Sequence, residues 1–378
     1  MATDAWIRTL SIINLVGAFH ALIQALLLAC TRRGNRRANR IMALFLLALA
    51  FGMANGFITM LGLYQRWAVL AILVGSVALT YCPLFYFYVS AVSRREFRWR
   101  PSRFFHFVPF LLGLACWSAF WLFGRDRPGG SGHRAWWIQS PWVPVSLMTG
   151  IQTIVYITLI VGALREYSRM IQSTFSTIDE INLRWLKWRL AVFAAIWAVG
   201  LATIALVGPD QRMLNLAGQA LFLLVALNTF ATGYRAQLQP EIFFGIADGV
   251  PGRRYRHSSL TPESAVLLKT RLLDVMAREE PFLDPQLALP KLAEQLDCPA
   301  NHLSQVINEQ LGRNFYDFVN EYRVEAAKSR LRQPGAEQVK MVTIAFECGF
   351  NSLATFNRVF KDLAGQTPTA YRLGPHRP

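Results

Sequence analysis

Two kinds of hydrophobic pattern divide this chain. In its first 234 residues seven stretches are apolar around the whole helical circumference, over residues 6–30, 41–63, 68–92, 104–123, 142–164, 190–208 and 214–234. A hydrocarbon core about 30 Å thick requires roughly 20 apolar residues at 1.5 Å each, and every stretch is near or above that length. Apolar residues on all sides, in place of one stripe, suit contact with lipid. The pattern predicts seven transmembrane helices. The first stretch is longer and more polar than a signal peptide. It lacks a basic lead-in and a small-residue cleavage site before Cys30, so it is expected to stay in the mature protein. Pro83, Pro109 and Pro144 are expected to mark kinks.

Beyond residue 260 the apolar positions fall on single faces. Thr261 is placed to cap a helix, with Pro262 in its first position and Glu263 at the positive end of its dipole. Val266, Leu267, Ala277 and the pairs Leu272, Leu273 and Val275, Met276 give it an apolar face. That face suits packing on the domain or pairing of two subunits. A short helix over 289–296 turns Leu292, Ala293 and Leu296 inward, and after a four-residue break a second helix runs over about 299–311 to Gly312. Two short helices across a tight turn make a helix-turn-helix, whose second helix enters the major groove. The pattern recurs: a helix over 343–348 with Ala345 inside, a turn at Gly349, then a helix over 351–364 ending at Gly365. Between the two lies a long helix over about 315–333, stopped by Pro334 and Gly335. Such a strut of roughly 28 Å approaches the ~34 Å turn of B-DNA, which lets one subunit address two groove segments. The predicted architecture is all-α: a polytopic seven-helix bundle, then a soluble domain with two helix-turn-helix units joined by a long helix.

Charge sets the orientation. The chain carries a net charge of +16, yet residues 259–378 hold 14 basic and 14 acidic side chains, so the excess lies in the apolar half and the tether. It is therefore a topology signal and not a nucleic-acid footprint. Arg32, Arg33, Arg36, Arg37 and Arg40 follow the first stretch; Arg94, Arg95, Arg98, Arg100 and Arg103 follow the third; Arg165, Arg169, Arg184, Lys187 and Arg189 follow the fifth. The alternate loops hold only Arg66, Arg125, Arg127, Arg134 and Arg212. Basic loops stay in the cytoplasm, so the N-terminus is expected outside and the C-terminus inside a bacterial inner membrane. Residues 235–260, rich in Pro and Gly and ending in the run Arg253, Arg254, Tyr255, Arg256, read as a cytoplasmic tether resting on anionic lipid. The expected domains are thus 1–234, 235–260 and 261–378, the last with its core at about 285–373.

Polar residues inside the spans are costly and therefore candidates for sensing. Arg8, Asn14, His20 and Gln24 lie in the first stretch, Asn55 in the second, His106 in the fourth, Gln152 in the fifth, and Gln219 and Asn228 in the seventh. Asn14, His20, His106, Gln152 and Gln219 are the candidate sensing residues. Interhelical hydrogen bonding is the competing reading. No Asp or Glu lies in a span, which counts against a cation or proton relay. The outer loop 124–141 carries Arg125, Arg127, His133, Arg134, Trp136 and Trp137 and reads as an interfacial aromatic belt. The five cysteines are scattered without paired spacing, and no P-loop, GxSxG, HExxH or kinase motif occurs. The sequence therefore predicts neither an enzyme nor a metal or cofactor site.

The segment LPKLAEQL, NHLSQVINEQLGRNFYDFVNEYRVEAAKSRL and TIAFECGFNSLATFNRVFKDLAGQTPTAYR resembles the AraC/XylS family of transcription regulators over about 85 residues. Gly349, Phe350, Ser352, Phe356, Arg358, Phe360, Lys361, Gly365, Thr367, Pro368, Tyr371 and Arg372 match its most specific pattern. The resemblance implies sequence-specific binding of double-stranded DNA through the exposed faces of both recognition helices. On the first these are Asn301, Ser304 and Gln305; on the second, Leu353, Ala354, Thr355, Asn357 and Arg358. Phe350, Phe356, Phe360 and Tyr371 are expected in the core. Two departures stand out: Cys298 where a Ser cap is usual, and Asp297 in place of the turn glycine. The apolar half resembles, in its seven-span layout alone, sensor modules fused to intracellular outputs. The combined expectation is a regulator coupling a signal at the membrane to gene expression, with an unidentified ligand and a homodimer as compatible partners. A transporter with a docking tail, or a passively anchored constitutive regulator, is the alternative.

Overall fold

The computed structural model describes residues 2–31, 35–93, 97, 100–123, 142–179, 181–207, 211–238 and 260–374. The outer loop 124–141, most of the tether, and Arg32, Arg33, Arg94, Arg95 and Arg98 lie outside the described residues. Among those described, regular structure is helical throughout, apart from one isolated antiparallel bridge between Phe175 and Ala288. The chain forms two compact units, Met1–Arg165 with Leu183–Glu241, and Glu166–Asn182 with Ile242–Pro378.

The first unit contains α1 (Ala2–Cys30), α2 (Arg36–Met53), the short α3 (Asn55–Met60) and α4 (Leu63–Arg66), α5 (Ala68–Val77) and α6 (Tyr81–Ser93). After these come α7 (Val108–Phe123), α8 (Trp142–Thr174), α9 (Arg184–Val207) and α10 (Gln211–Leu238), α8 running on into the second unit. Six described helices are long and apolar enough to cross a membrane, one fewer than expected. The stretch expected over 190–208 is helical to Val207 within α9, and its residues 190–207 carry no charged side chain. The span expected to start at 104 opens as a 3-10 turn, Pro101–Phe107, and becomes α-helical only at Val108. Pro109 supplies the reason, having no N–H for the carbonyl of Phe105. Pro83 likewise follows a 3-10 turn, Ala78–Thr80, inside the helical run Ala68–Ser93, whereas Pro144 sits in the first turn of α8, where its missing N–H is an orphan anyway.

Helix α1 packs along α2 and α10, α2 along α6, α9 along α10, and α5 along α7. Ala18, Ala21 and Ala50 bring α1, α2 and α10 close together, with Met53, Phe222 and Ala226 filling the contact. The opposite surface is apolar too: Val16, Leu26, Ile154 and Leu206 are well exposed.

The second unit holds α11 (Pro262–Arg278), α12 (Leu289–Gln295), α13 (Ala300–Gln305) continued by a π-helical turn Val306–Gln310, and α14 (Phe315–Leu331). It closes with α15 (Met341–Glu347), α16 (Leu353–Ala364) and α17 (Pro368–Leu373), the last unforeseen from hydrophobic pattern. As expected, Thr261 caps α11, its hydroxyl accepting the Ser264 N–H at 3.2 Å. Its buried face is Ala265, Leu268, Leu272 and Met276, whereas Val266 and Leu267, expected on the apolar face, are exposed. Leu272 and Met276 keep to the four-residue spacing that returns to the core; Val266 and Leu267 fall on the other side of the helix.

Two cores result. One gathers α11, α12, α13 and the start of α14 around Leu292, Leu303, Ile307 and Phe318; the other gathers the end of α14 with α15, α16 and α17 around Ile344, Phe356, Phe360 and Tyr371. Phe350, Phe356, Phe360 and Tyr371 are therefore core residues, as expected. Helix α14 contributes to both. Its 17 residues span roughly 26 Å, and its start is capped by Asn314, whose Oδ1 accepts the Asp317 N–H at 2.9 Å.

Candidate nucleic-acid interface

The two helix-turn-helix units are built by the same backbone device. In the first, the N–H of Asp297 donates to Glu294 O and that of Cys298 to Ala293 O, each at 3.0 Å, and Asp297 takes a left-handed φ of 50°. In the second, Gly349 donates to Phe346 O at 3.1 Å and Phe350 to Ala345 O at 3.0 Å, with φ of 82° at Gly349. Ala293 and Ala345 are buried beneath these turns, where a larger side chain would hold the helices apart. Asp297 thus does take the turn glycine's place. Cys298 does not stand at a cap: it closes the turn, and the N-cap of α13 is Pro299, which makes no side-chain cap bond. In the second unit Ser352 caps α16, its Oγ accepting the Thr355 N–H at 3.2 Å.

Counted from the first helical residue, Asn301 and Ala354 both stand second, and Gln305 and Arg358 both sixth. Asn301, Ala354, Asn357 and Arg358 are exposed, and Gln305 and Leu353 partly so. Ser304 and Thr355 are not on the exposed faces where the sequence reading placed them: they are 2% and 7% exposed. Ser304 instead takes a hydrogen bond on its carbonyl from Asn308 Nδ2 at 2.7 Å. Thr355 lies in the capped first turn of α16, next to the core residue Phe356.

Arg358 is held as well as exposed. Its Nη2 donates to the Tyr316 hydroxyl on α14 at 3.0 Å, and its Nη1 lies 3.9 Å from Asp362 one turn on. Gln305 donates to Glu309 at 2.9 Å. Each unit therefore carries one long polar side chain at the same place in its recognition helix, Arg358 exposed and Gln305 with its Oε1 buried and its Nε2 on Glu309.

The residue that sequence reasoning missed is Arg323. It lies 1% exposed in α14, and all five of its N–H donors are used. Nε donates to Phe282 O at 2.8 Å, Nη1 to Ser176 O at 3.1 Å and Thr177 Oγ1 at 3.2 Å, and Nη2 to Ser176 Oγ and Asp284 O, both at 2.9 Å. Burial lowers its pKa to about 10, still far above neutrality, so it is a buried cation. A signal was available: Phe315, Val319, Arg323, Ala327 and Leu331 recur at four-residue steps, and all five are buried.

In the first unit the sensing candidates do not form one cluster. Asn14 Nδ2 donates to Gln219 Oε1 at 2.8 Å and to its carbonyl at 3.0 Å. His106 Nδ1 pairs with the Tyr156 hydroxyl at 2.6 Å, Gln152 donates to Leu79 O at 3.1 Å, and His20 packs tilted against Phe230 with ring centroids 4.4 Å apart. These contacts join helices, yet Asn14 Oδ1, His20 Nε2 and Gln152 Oε1 are buried without a hydrogen-bond partner.

Residues 292–374 match a family described as a helix-turn-helix domain, so the C-terminal segment is a helix-turn-helix domain of AraC type. An uncharacterised HTH-type transcriptional regulator of Staphylococcus aureus (strain COL) is 38% identical over 86 residues, 23% of this chain and 11% of that protein. Another from Staphylococcus aureus is 40% identical over 87 residues, again 23% and 11%. The uncharacterised HTH-type transcriptional regulator YtdP of Bacillus subtilis (strain 168) is 32% identical over 89 residues, 24% of this chain and 11% of that protein. The similarity thus spans about a tenth of these relatives. No solved structure matches the chain significantly.

Proposed function

We propose that this chain is a membrane-integrated, sequence-specific DNA-binding transcription regulator in which a signal received by the apolar helices controls an AraC-type output domain. The observation that carries the reading is the pairing of Gln305 and Arg358. They occupy equivalent positions of two recognition helices that pack on one strut of roughly 26 Å. Successive major-groove segments lie about 34 Å apart, so both helices address one face of the duplex. Arg358 suits bidentate bonding to guanine, Gln305 or Asn301 to adenine, and Ala354 or Leu353 contact with a thymine methyl, while Asn357 reaches phosphate or a base edge.

With 14 basic and 14 acidic residues in 259–378, non-specific attraction to phosphate is weak. Membrane tethering or a second copy of the chain supplies the missing affinity. Six helices fit to cross a bilayer, with α9 as a seventh span, support residence in a bacterial inner membrane. The basic side chains flanking them support a cytoplasmic C-terminus. The signal, whether a small molecule, a lipid or a membrane state, works by favouring one of two helix arrangements.

Mapping the genomic sites occupied by the full-length protein tests the DNA reading, and discrete sites lost in Arg358→Ala are expected. Uniform, sequence-independent occupancy would instead favour a docking tail. A reporter fused after Tyr234 tests the topology and should be active only in the cytoplasm.

A further inference from the structure

Residues 175–183 join α8 to α9, and by length and charge they read as an ordinary loop. They nevertheless fold with the DNA-binding domain, as part of Glu166–Asn182. Phe175 forms an antiparallel bridge with Ala288, and Ser176 meets Leu287 O twice, through its N–H at 3.2 Å and its hydroxyl at 2.6 Å. Three of the five bonds of Arg323 end on Ser176 and Thr177. The remaining two end on Phe282 and Asp284, just ahead of the first helix-turn-helix unit. Ile178 packs against the core of the second unit. Asp179 places a carboxylate oxygen in a buried position without a hydrogen bond, close enough to Tyr316 and Arg358 for its charge to act on both.

We propose that residues 175–179 are an intramolecular latch. Docked on Arg323, they hold the DNA-binding domain in a low-affinity state with Asp179 set against the DNA-reading Arg358; undocked, they release it. This rests on the DNA-binding reading above and adds its regulation. Two features make the contact suited to a switch. Undocking leaves three donors of a buried guanidinium without partners, which is costly at each, so the docked and free states are discrete. The latch also continues directly from α8, a single helix whose apolar stretch begins at Pro144, so a shift of that helix pulls on the bonded residues. The carboxylate beside Arg358 competes with the phosphates and base edges that would otherwise receive its charge.

The test uses the full chain in lipid nanodiscs and a pool of 30-bp duplexes covering the genomic sites that the full-length protein occupies. Ser176→Ala/Thr177→Ala removes two side-chain partners of Arg323, and Asp179→Asn leaves the docking bonds in place. Glu337→Gln, an exposed site, makes the same charge change elsewhere. Both latch variants are expected to bind the pool at least about fivefold more tightly than wild type, the lower end of ordinary coupling between sites, while Glu337→Gln stays near wild type. The Ser176→Ala/Thr177→Ala protein should also lose amide-exchange protection at Ser176. Latch variants that bind DNA no better than Glu337→Gln overturn the latch and leave the DNA reading standing. If wild type and every variant alike retain no duplex, both fall.

Discussion

The Tyr316 hydroxyl takes a hydrogen bond from Arg358 Nη2 at 3.0 Å, tying the second recognition helix to the strut that both units share. The phenol is largely buried, its pKa raised by burial and partly restored by Arg358, so it stays neutral and acts as acceptor. In the proposed complex Arg358→Ala removes a base or phosphate contact, and it is expected to weaken specific binding by about 1–3 kcal/mol. Tyr316→Phe keeps the buried ring and the fold but frees the guanidinium, and a loss of about 1 kcal/mol or less is expected. Fluorescence anisotropy on an occupied genomic site, with the full chain in nanodiscs, checks the order of the two.

The turns of the two units respond oppositely to glycine chemistry. A Cβ on Gly349 would strike Phe282 O and press on Arg323 Nε at 3.0 Å, and the φ of 82° disfavours any side chain. Gly349→Ala is expected to destabilise the domain by at least about 2 kcal/mol. Asp297→Gly relieves a left-handed φ of 50° and should stabilise by up to about 1 kcal/mol, part of the gain being lost to chain entropy. Amide exchange across α12–α13 and α15–α16 reads each change locally.

Asn14 and Gln219 form the clearest polar contact between apolar helices. Asn14→Leu alone strands a buried amide, and Gln219→Leu does the same from the other side. A double-mutant cycle on thermal stability in detergent is expected to give a coupling near 0.6 kcal/mol. A larger loss of signal response than of stability in Asn14→Leu would move this pair from structural contact to sensing site.

Burial pushes the Asp284 carboxyl upward, but the Lys291 ammonium at 2.6 Å and the Gln286 N–H at 2.8 Å outweigh it and leave the group below its ordinary value. A carboxylate depressed on folding contributes stability above its unfolded pKa, and that contribution disappears as pH falls through its folded value. The domain should therefore be insensitive to Asp284 above about pH 5 and lose stability below it. Asp284→Asn is expected to flatten that part of the acid-unfolding curve.

Periodicity alone made the all-helical class and the helix-turn-helix repeat legible, though not the length of helices such as α8, which runs on to Thr174. Apolar residues on all sides and apolar residues on one face are solvent requirements written residue by residue. Thr261 before Pro262, and Asp297 and Gly349 ahead of their recognition helices, likewise announced a cap and two turns, because capping and left-handed backbone are local matters. The breaks at Ala54 and before Val108 were less legible. What only the tertiary structure decided is which partner each polar side chain finds. Ser304 and Thr355 share recognition helices with Asn301 and Arg358, yet they are buried, because which side of a short helix meets the core depends on neighbours distant in sequence. Ser176 and Arg323 stand 147 positions apart and carry no pattern relating them. Their bond exists because a buried guanidinium must satisfy five donors, and folding alone brings a loop to where those donors point.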